Sequence, residues 1–293
     1  MGNSSRGKTR KSSELIQAEI LKIFLEMKPR LTVRQIYYAL TVRGVVPKTE
    51  NGYRQTCYQL KVMREQGLIS HGWIADNTRY QIKPMTDPSL ESALDRWQLE
   101  YRRDLWANQP DYVEIWVEKD ALAGVISPIT REYDVPLCIA RGYSSLTFIF
   151  EAAQDLIDMD KPAYVYHFGD YDPSGVDAAH KIELGLLKHG ADVFFERVAI
   201  TEDQIESLGL PTRETKKSDP RSSRWGDKPS VELDAMPAPT LRKLVRQCIE
   251  KHMDPDLLER SRLIEQQERK TLAVVRENLV LAQNSDEEES HDE

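Results

Sequence analysis

The chain has 293 residues, of which 40% are hydrophobic and 30% charged, enough apolar material for a core in one large domain or two modest ones. No apolar run approaches the roughly 18 residues of a membrane span, and the polar, basic start Met1-Gly2-Asn3-Ser4-Ser5-Arg6 fits neither a secretory signal nor, with Arg6 where Ser or Thr is needed, a myristoylation site. The net charge of −8 divides unevenly: residues 1–85 hold 15 Lys/Arg against 6 Asp/Glu (+9), and residues 86–293 hold 25 against 42 (−17).

Residues 1–12 read as a flexible basic arm. Ser12-Ser13 can cap a first helix whose Leu15, Ile16, Ile20, Ile23 and Phe24 share a face, and Pro29 stops it. Thr32 can cap a second helix, Val33 to Val42, stopped by Gly44 and Pro47. A third runs from about Asn51 to Gly67. Leu68 to Ile74 and Thr78 to Ile82 read as two short strands. Three helices and a hairpin over residues 13–85 make a winged helix-turn-helix pattern, which places a helix in the DNA major groove. The +9 charge suits a polyanion such as DNA, although a charge imbalance also describes a solvated surface.

Residues 86–110 read as a connecting helix. From residue 111 the pattern alternates: strands Tyr112–Val117, Leu137–Ala140, Ala163–Phe168 and Val193–Val198, with helices from Ala121, over Leu146–Ile157 and over Val176–His189. That alternation predicts an α/β domain with a parallel sheet flanked by helices over residues 111–255, its ligands beyond the carboxyl ends of the strands. Residues 211–230 read as a mobile basic loop. Helices follow over Leu241–Ile249 and Leu257–Leu281 (the last making a C-terminal helix in residues 256–283), and residues 284–293 read as an acidic disordered tail. Cys57, Cys138 and Cys248 are too far apart for a disulfide framework or a zinc site and point to a reducing, cytoplasmic setting.

Acids stand just beyond two of the strands: Glu118 after Trp116-Val117, and Asp170 and Asp172 in His167-Phe168-Gly169-Asp170-Tyr171-Asp172-Pro173-Ser174-Gly175. An Asp-X-Asp turn, with Gly169 and Gly175 permitting a tight backbone, can aim two carboxylates at one hard cation such as magnesium. Alone, it also describes an ordinary solvated loop. Glu118 at a second strand end favours the cation. In Arg34-Gln35-Ile36-Tyr37-Tyr38, Arg34 and Tyr38 share a helix face. A guanidinium there can grip a phosphate and favour the phenolate, and a tyrosine can store a broken phosphodiester as a new ester. An aromatic pair on a helix also describes core. His167 reads as structural, and Lys119 as either a DNA contact or a surface lysine.

The ordered set Arg34-Gln35-Ile36-Tyr37-Tyr38, Val117-Glu118-Lys119 and Gly169-Asp170-Tyr171-Asp172-Pro173-Ser174-Gly175 resembles the topoisomerase VI A subunit and its relative, the meiotic double-strand-break transesterase, over roughly residues 13–255. Arg141-Gly142-Tyr143 and Glu232-Leu233-Asp234-Ala235-Met236 look like further segments of that family. The resemblance implies a winged-helix domain carrying the nucleophile at Tyr38, assisted by Arg34. It implies a Toprim domain with Glu118, Asp170 and Asp172 on Mg2+. It further implies a homodimer in which Tyr38 of one copy faces the acids of the other, double-stranded DNA as substrate, and a 5′-phosphotyrosyl intermediate. The chain holds no ATPase module, so strand passage would need a separate B-type subunit. The chain is most similar to stand-alone "mini-A" proteins of phages, plasmids and bacteria, a cytoplasmic, nucleoid-associated setting. A Toprim nuclease without a covalent intermediate and a non-cutting DNA-binding subunit stand as alternatives.

Overall fold

The computed structural model describes residues 4–28, 30–75, 84–142, 144–215 and 221–289, with side chains described between residues 13 and 279. The chain contacts group residues 1–79 with 111–251 in one unit, and 80–110 with 252–293 in another.

The first unit begins with α1 (Ser4–Met27), α2 (Val33–Val42) and α3 (Glu50–Glu65). Helix α2 starts at a capping box: the Thr32 hydroxyl accepts from Gln35 N at 3.1 Å, and the Gln35 side chain accepts from Thr32 N at 3.0 Å. Gly44 and Gly67, both at positive φ, end α2 and α3. Ile20, Ile23, Ile36, Leu40, Leu60 and Met63 close a core with no exposure.

Two expectations change here. Residues 4–12 are helical rather than a loose arm, because no proline interrupts them and the run Lys8-Thr9-Arg10-Lys11 tolerates helix. Leu68 to Ile74 is not a strand: Ser70 caps a 3₁₀ turn at His71–Trp73, and only Ile74 pairs, in parallel, with Leu31. Trp73 folds back on Phe24, ring centroids 5.1 Å apart, and its carbonyl accepts from Leu31 N at 3.1 Å. The second predicted strand, Thr78 to Ile82, lies outside the described residues.

The sheet carries β1 (Tyr112–Val117), α5 (Asp120–Glu132), β2 (Leu137–Ile139), α6 (Leu146–Asp158), β3 (Ala163–Phe168), α7 (Pro173–Lys188) and β4 (Val193–Ala199), a mixed α/β arrangement. All four strands are parallel in the order β2-β1-β3-β4. Central β1 and β3 are buried along nearly their whole length, whereas edge strand β4 alternates between half-buried and exposed over its first half. Helices α6 and α7 cover one face, where Ile149, Ala153, Leu156, Ile182 and Leu186 pack on Trp116 and Val165. After α8 (Glu202–Ser207) and the short α9 (Ser222–Trp225), α10 (Ala238–Glu250) covers the opposite face with α5, and Lys251 lies 6.0 Å from the Tyr166 ring. The predicted basic loop is partly ordered. Arg213 bridges Ser230, Tyr171 bridges Val231, and residues 216–220 lie outside the described residues.

The second unit pairs α4 (Leu90–Glu100) with α11 (Pro255–Glu289). Arg276 meets Glu91 and Asp95, and Glu268 takes the Tyr101 hydroxyl at 2.7 Å and Arg103 at 2.8 Å. Helix α11 continues through Glu289, into the stretch expected to be disordered, because no proline or glycine stops it and its acids tolerate helix. Residues 290–293 lie outside the described residues. Among the described residues, no helix is long and apolar enough to cross a membrane.

Candidate functional site

Strand order decides where a ligand can sit. From β1 the chain turns outward through α5 to β2, then crosses through α6 to β3 on the other side, so the connections after β1 and β3 diverge and leave a crevice at their carboxyl ends. Both predicted acidic segments stand there. Glu118 N donates to Phe168 O at 2.9 Å, aligning the two strand ends, and Glu118 Oε2 accepts from Asp170 N at 2.9 Å.

The loop between them is drawn tight. Asp172 is the N-cap of α7, its Oδ1 accepting from Gly175 N at 2.8 Å, and Pro173 occupies the first helical turn. A Cβ on Gly169 would stand 2.9 Å from Glu118 Oε2, and one on Gly175 would stand 2.5 Å from Asp170 O, so both positions need glycine for space. Arg197, on β4, clamps the loop from behind by donating to Asp170 O at 2.6 Å, Gly169 O at 3.2 Å and Ile200 O.

A late segment lies against this loop. The Tyr171–Val231 bridge brings in Glu232 and Asp234, both buried, and Leu233 N donates to Asp170 Oδ1 at 2.8 Å. Lys119 sits at the centre, 3.0 Å from Asp170 and from Asp234 and 3.5 Å from Glu232. Burial lowers its pKa, but Asp234, Asp170 and Glu232 outweigh that and the net shift is upward. Lys119 is therefore not a surface lysine but the centre of an ion-pair cluster.

Helix α2 reaches the same place. Arg34 bonds Glu232, and the Thr32 hydroxyl donates to Asp234 Oδ1 at 2.9 Å. Arg213 bridges Glu232 Oε1 at 2.8 Å and Asp172 Oδ2 at 3.0 Å. Burial raises the pKa of Glu232, yet Lys119, Arg34 and Arg213 together hold it down at about 2. Glu118 and Asp170 move the other way. Burial raises both; the Asp170 charge adds to the rise at Glu118, and Lys119 opposes the rise at Asp170. These groups line a cleft of about 760 Å³.

Of the predicted residues, the structure brings Arg34, Glu118, Asp170 and Asp172 into this cleft, but not Tyr38. Tyr38 is 9% exposed and its ring packs 5.3 Å from that of Tyr37. Its pKa is pushed up to about 12, by burial first and the Glu232 charge second, against Arg34, Lys119 and Arg213. Arg34 does favour the phenolate, as expected, but burial and the Glu232 charge outweigh it and the net shift is upward. His167 is 1% exposed and burial pulls its pKa down to about 3, so it is a neutral interior group.

The donor set is all carboxylate, which suits a hard cation such as magnesium, and the glycine-lined loop leaves room beside Glu118. The residues fit that group chemically. Among the described residues no three acids, histidines or cysteines converge in ligand geometry. Sequence reasoning missed Arg213 and Arg197; the signal for Arg197 was the charged pair Glu196-Arg197 inside a strand run of apolar residues. No protein-family model matches the chain, and a search of curated proteins finds no match.

Proposed function

We propose that the chain is a magnesium-dependent DNA-cleaving transesterase of the topoisomerase VI A-subunit type. On this reading the N-terminal helices act as a winged-helix module and the parallel sheet as a Toprim domain. The observation that carries it is that Arg34, from α2, lines one cleft with Glu118, Asp170 and Asp172, the acids that follow β1 and β3. Glu118, Asp170 and Asp172 would hold the cation, which supplies charge stabilisation at the phosphate. Tyr38 attacks phosphorus: its phenolic oxygen forms the new P–O bond and gives up its proton. The bond to the 3′ oxygen breaks, and that oxygen takes a proton to leave as a hydroxyl. Arg34 steadies the non-bridging oxygens. Tyr38 is buried in its own chain, so on this reading, in which each copy of a homodimer attacks one strand of double-stranded DNA, the tyrosine must be uncovered before it acts. Strand passage would then require a B-type ATPase subunit. The setting is cytoplasmic and nucleoid-associated.

The buried, high-pKa state of Tyr38 favours a second reading, a Toprim nuclease that hydrolyses DNA and leaves no covalent link. Supercoiled DNA incubated with the protein and Mg2+, then quenched with denaturant, separates the two. Protein-linked DNA ends are expected from wild type and none from Tyr38→Phe. Free ends from both proteins would establish hydrolysis. No cut DNA from wild type, with DNA binding unchanged by alanine at Asp170 and Asp172 and abolished by loss of the basic front, would leave a non-cutting binder.

A further inference from the structure

Arg213 is fixed by its backbone before its side chain makes any choice. Its N–H donates to Ser230 O at 2.8 Å and its carbonyl accepts from Ser230 N at 3.0 Å, which sets it beside the Asp170–Asp172 loop. The guanidinium spans two acids on different segments, Glu232 through Nη1 and Asp172 through Nη2. Its Nε is buried with no hydrogen-bond partner among the described residues, and its side chain is about 28% exposed to the cleft it lines.

The two acids are not equivalent. Asp172 Oδ1 is already engaged by Gly175 N–H as the cap of α7, so Oδ2 carries the more available lone pairs, and Arg213 occupies them. A divalent cation taking Asp172 through Oδ2 competes directly with Nη2. Glu232 is different: Oε1 holds Arg213, while Oε2 faces Arg34 and Lys119. Displacement from Asp172 therefore leaves Arg213 tethered at Glu232, with one edge of the guanidinium free in the cleft. Lys48, whose ammonium bonds the carbonyl of Thr212, adds positive charge at the same end.

Resting on the magnesium reading above, we propose that Arg213 is a positioning residue that exchanges partners: a divalent cation on Asp172 frees its guanidinium edge, which then takes a phosphate oxygen of DNA. The exchange joins metal loading to DNA grip through one side chain. A planar fork with two parallel donors is suited to both partners, carboxylate and phosphate.

The test uses the full chain as wild type, Arg213→Ala, Arg213→Lys and Asp172→Asn, with circular dichroism to confirm folding. Mn2+ binding is read from the electron paramagnetic resonance of free Mn2+, and DNA binding from the anisotropy of a fluorescent duplex with and without Mg2+ at constant ionic strength. Arg213→Ala is expected to bind Mn2+ about fivefold tighter, the scale of one partly exposed ion pair, and to lose the Mg2+-dependent gain in DNA affinity that wild type shows. Arg213→Lys, which keeps the charge but not the fork, is expected to retain part of that gain; it carries the test if the alanine variant does not fold. Mn2+ affinity unchanged or weaker in Arg213→Ala, with Asp172→Asn impaired, overturns the exchange and leaves the metal site standing. Mn2+ binding unchanged in Asp172→Asn overturns the metal site and the exchange with it.

Discussion

A Lys119→Met variant is expected to melt on the order of 10 °C below wild type, the largest stability loss from any single charge in the cleft. Lys119 Nζ lies within 3.5 Å of Asp170, Glu232 and Asp234, and these acids are 7%, 7% and 2% exposed. Removing one member of a buried ion pair costs about 3–5 kcal/mol, because the charge left behind has lost its water and its partner. Each kcal/mol corresponds to about 2–4 °C for a unit of some 150–250 residues. The deficit is also expected to depend on pH with a definite sign. Glu232 is held at about 2 in the folded chain against an ordinary 4.5, so its contribution to stability is full above 4.5 and is lost as pH falls through about 2. Asp170, already raised by burial, loses the downward pull of Lys119 in the variant and rises further, so acid relieves the variant. Melting curves of both proteins between pH 7 and pH 3 should therefore converge toward the acid end. A gap that stays constant or widens would show that Lys119 acts by packing alone.

If the cleft holds magnesium as proposed, Gly175→Ala is expected to abolish that binding with a smaller loss of stability, of about 1–3 kcal/mol for an overpacked contact. The new Cβ would stand 2.5 Å from Asp170 O, a backbone atom with little freedom because Arg197 Nη2 holds it at 2.6 Å. It would also stand 3.3 Å from Glu118 Oε2. The chain must shift at Asp170, at the helix cap on Asp172, or at both. Either movement separates Glu118 from the Asp170–Asp172 turn that shares its wall of the cleft. The variant should fold, as judged by its far-ultraviolet spectrum, and should show no rise in melting temperature on adding Mg2+ where wild type shows one.

The central strands were legible because burial on both faces leaves runs that are apolar and aromatic save for one buried polar residue each, Glu114 and His167. Tyr112–Val117 and Ala163–Phe168 were read to their observed bounds, and β4 came within one residue. Leu68–Ile74 shows the limit of the same signal. Ile69 is buried and Trp73 and Ile74 are half-buried in a folded-back turn against Phe24 and Leu31, and composition does not distinguish that from a strand. The acids at the strand ends were legible because topology puts strand ends together. The cations were not. Arg213 reaches Asp172 across 41 positions and Arg34 reaches Glu232 across 198, separations that no local pattern encodes. The protonation of Tyr38 was misread for the same cause: Arg34, four residues away, is a visible neighbour, whereas Glu232 and the burial that govern the phenol come from tertiary packing.

The way the cleft is stitched together also has a consequence for how the chain comes to exist. Strand β1 pairs with β3 some fifty positions later, Lys119 meets Asp234 after 115, and Thr32 meets the same carboxylate after 202. Helices α1 to α3 close by short loops and can form early, but pairings between distant segments must first overcome the entropy of closing the intervening chain. The charge cluster is therefore expected to assemble last, with the segment around Glu232 and Asp234 docking on a sheet already in place. Until then Lys119 and the loop acids remain hydrated and separate, so a partly folded or truncated chain lacking that segment carries the acids without the geometry. On the proposed function, such a chain would be unable to cut DNA.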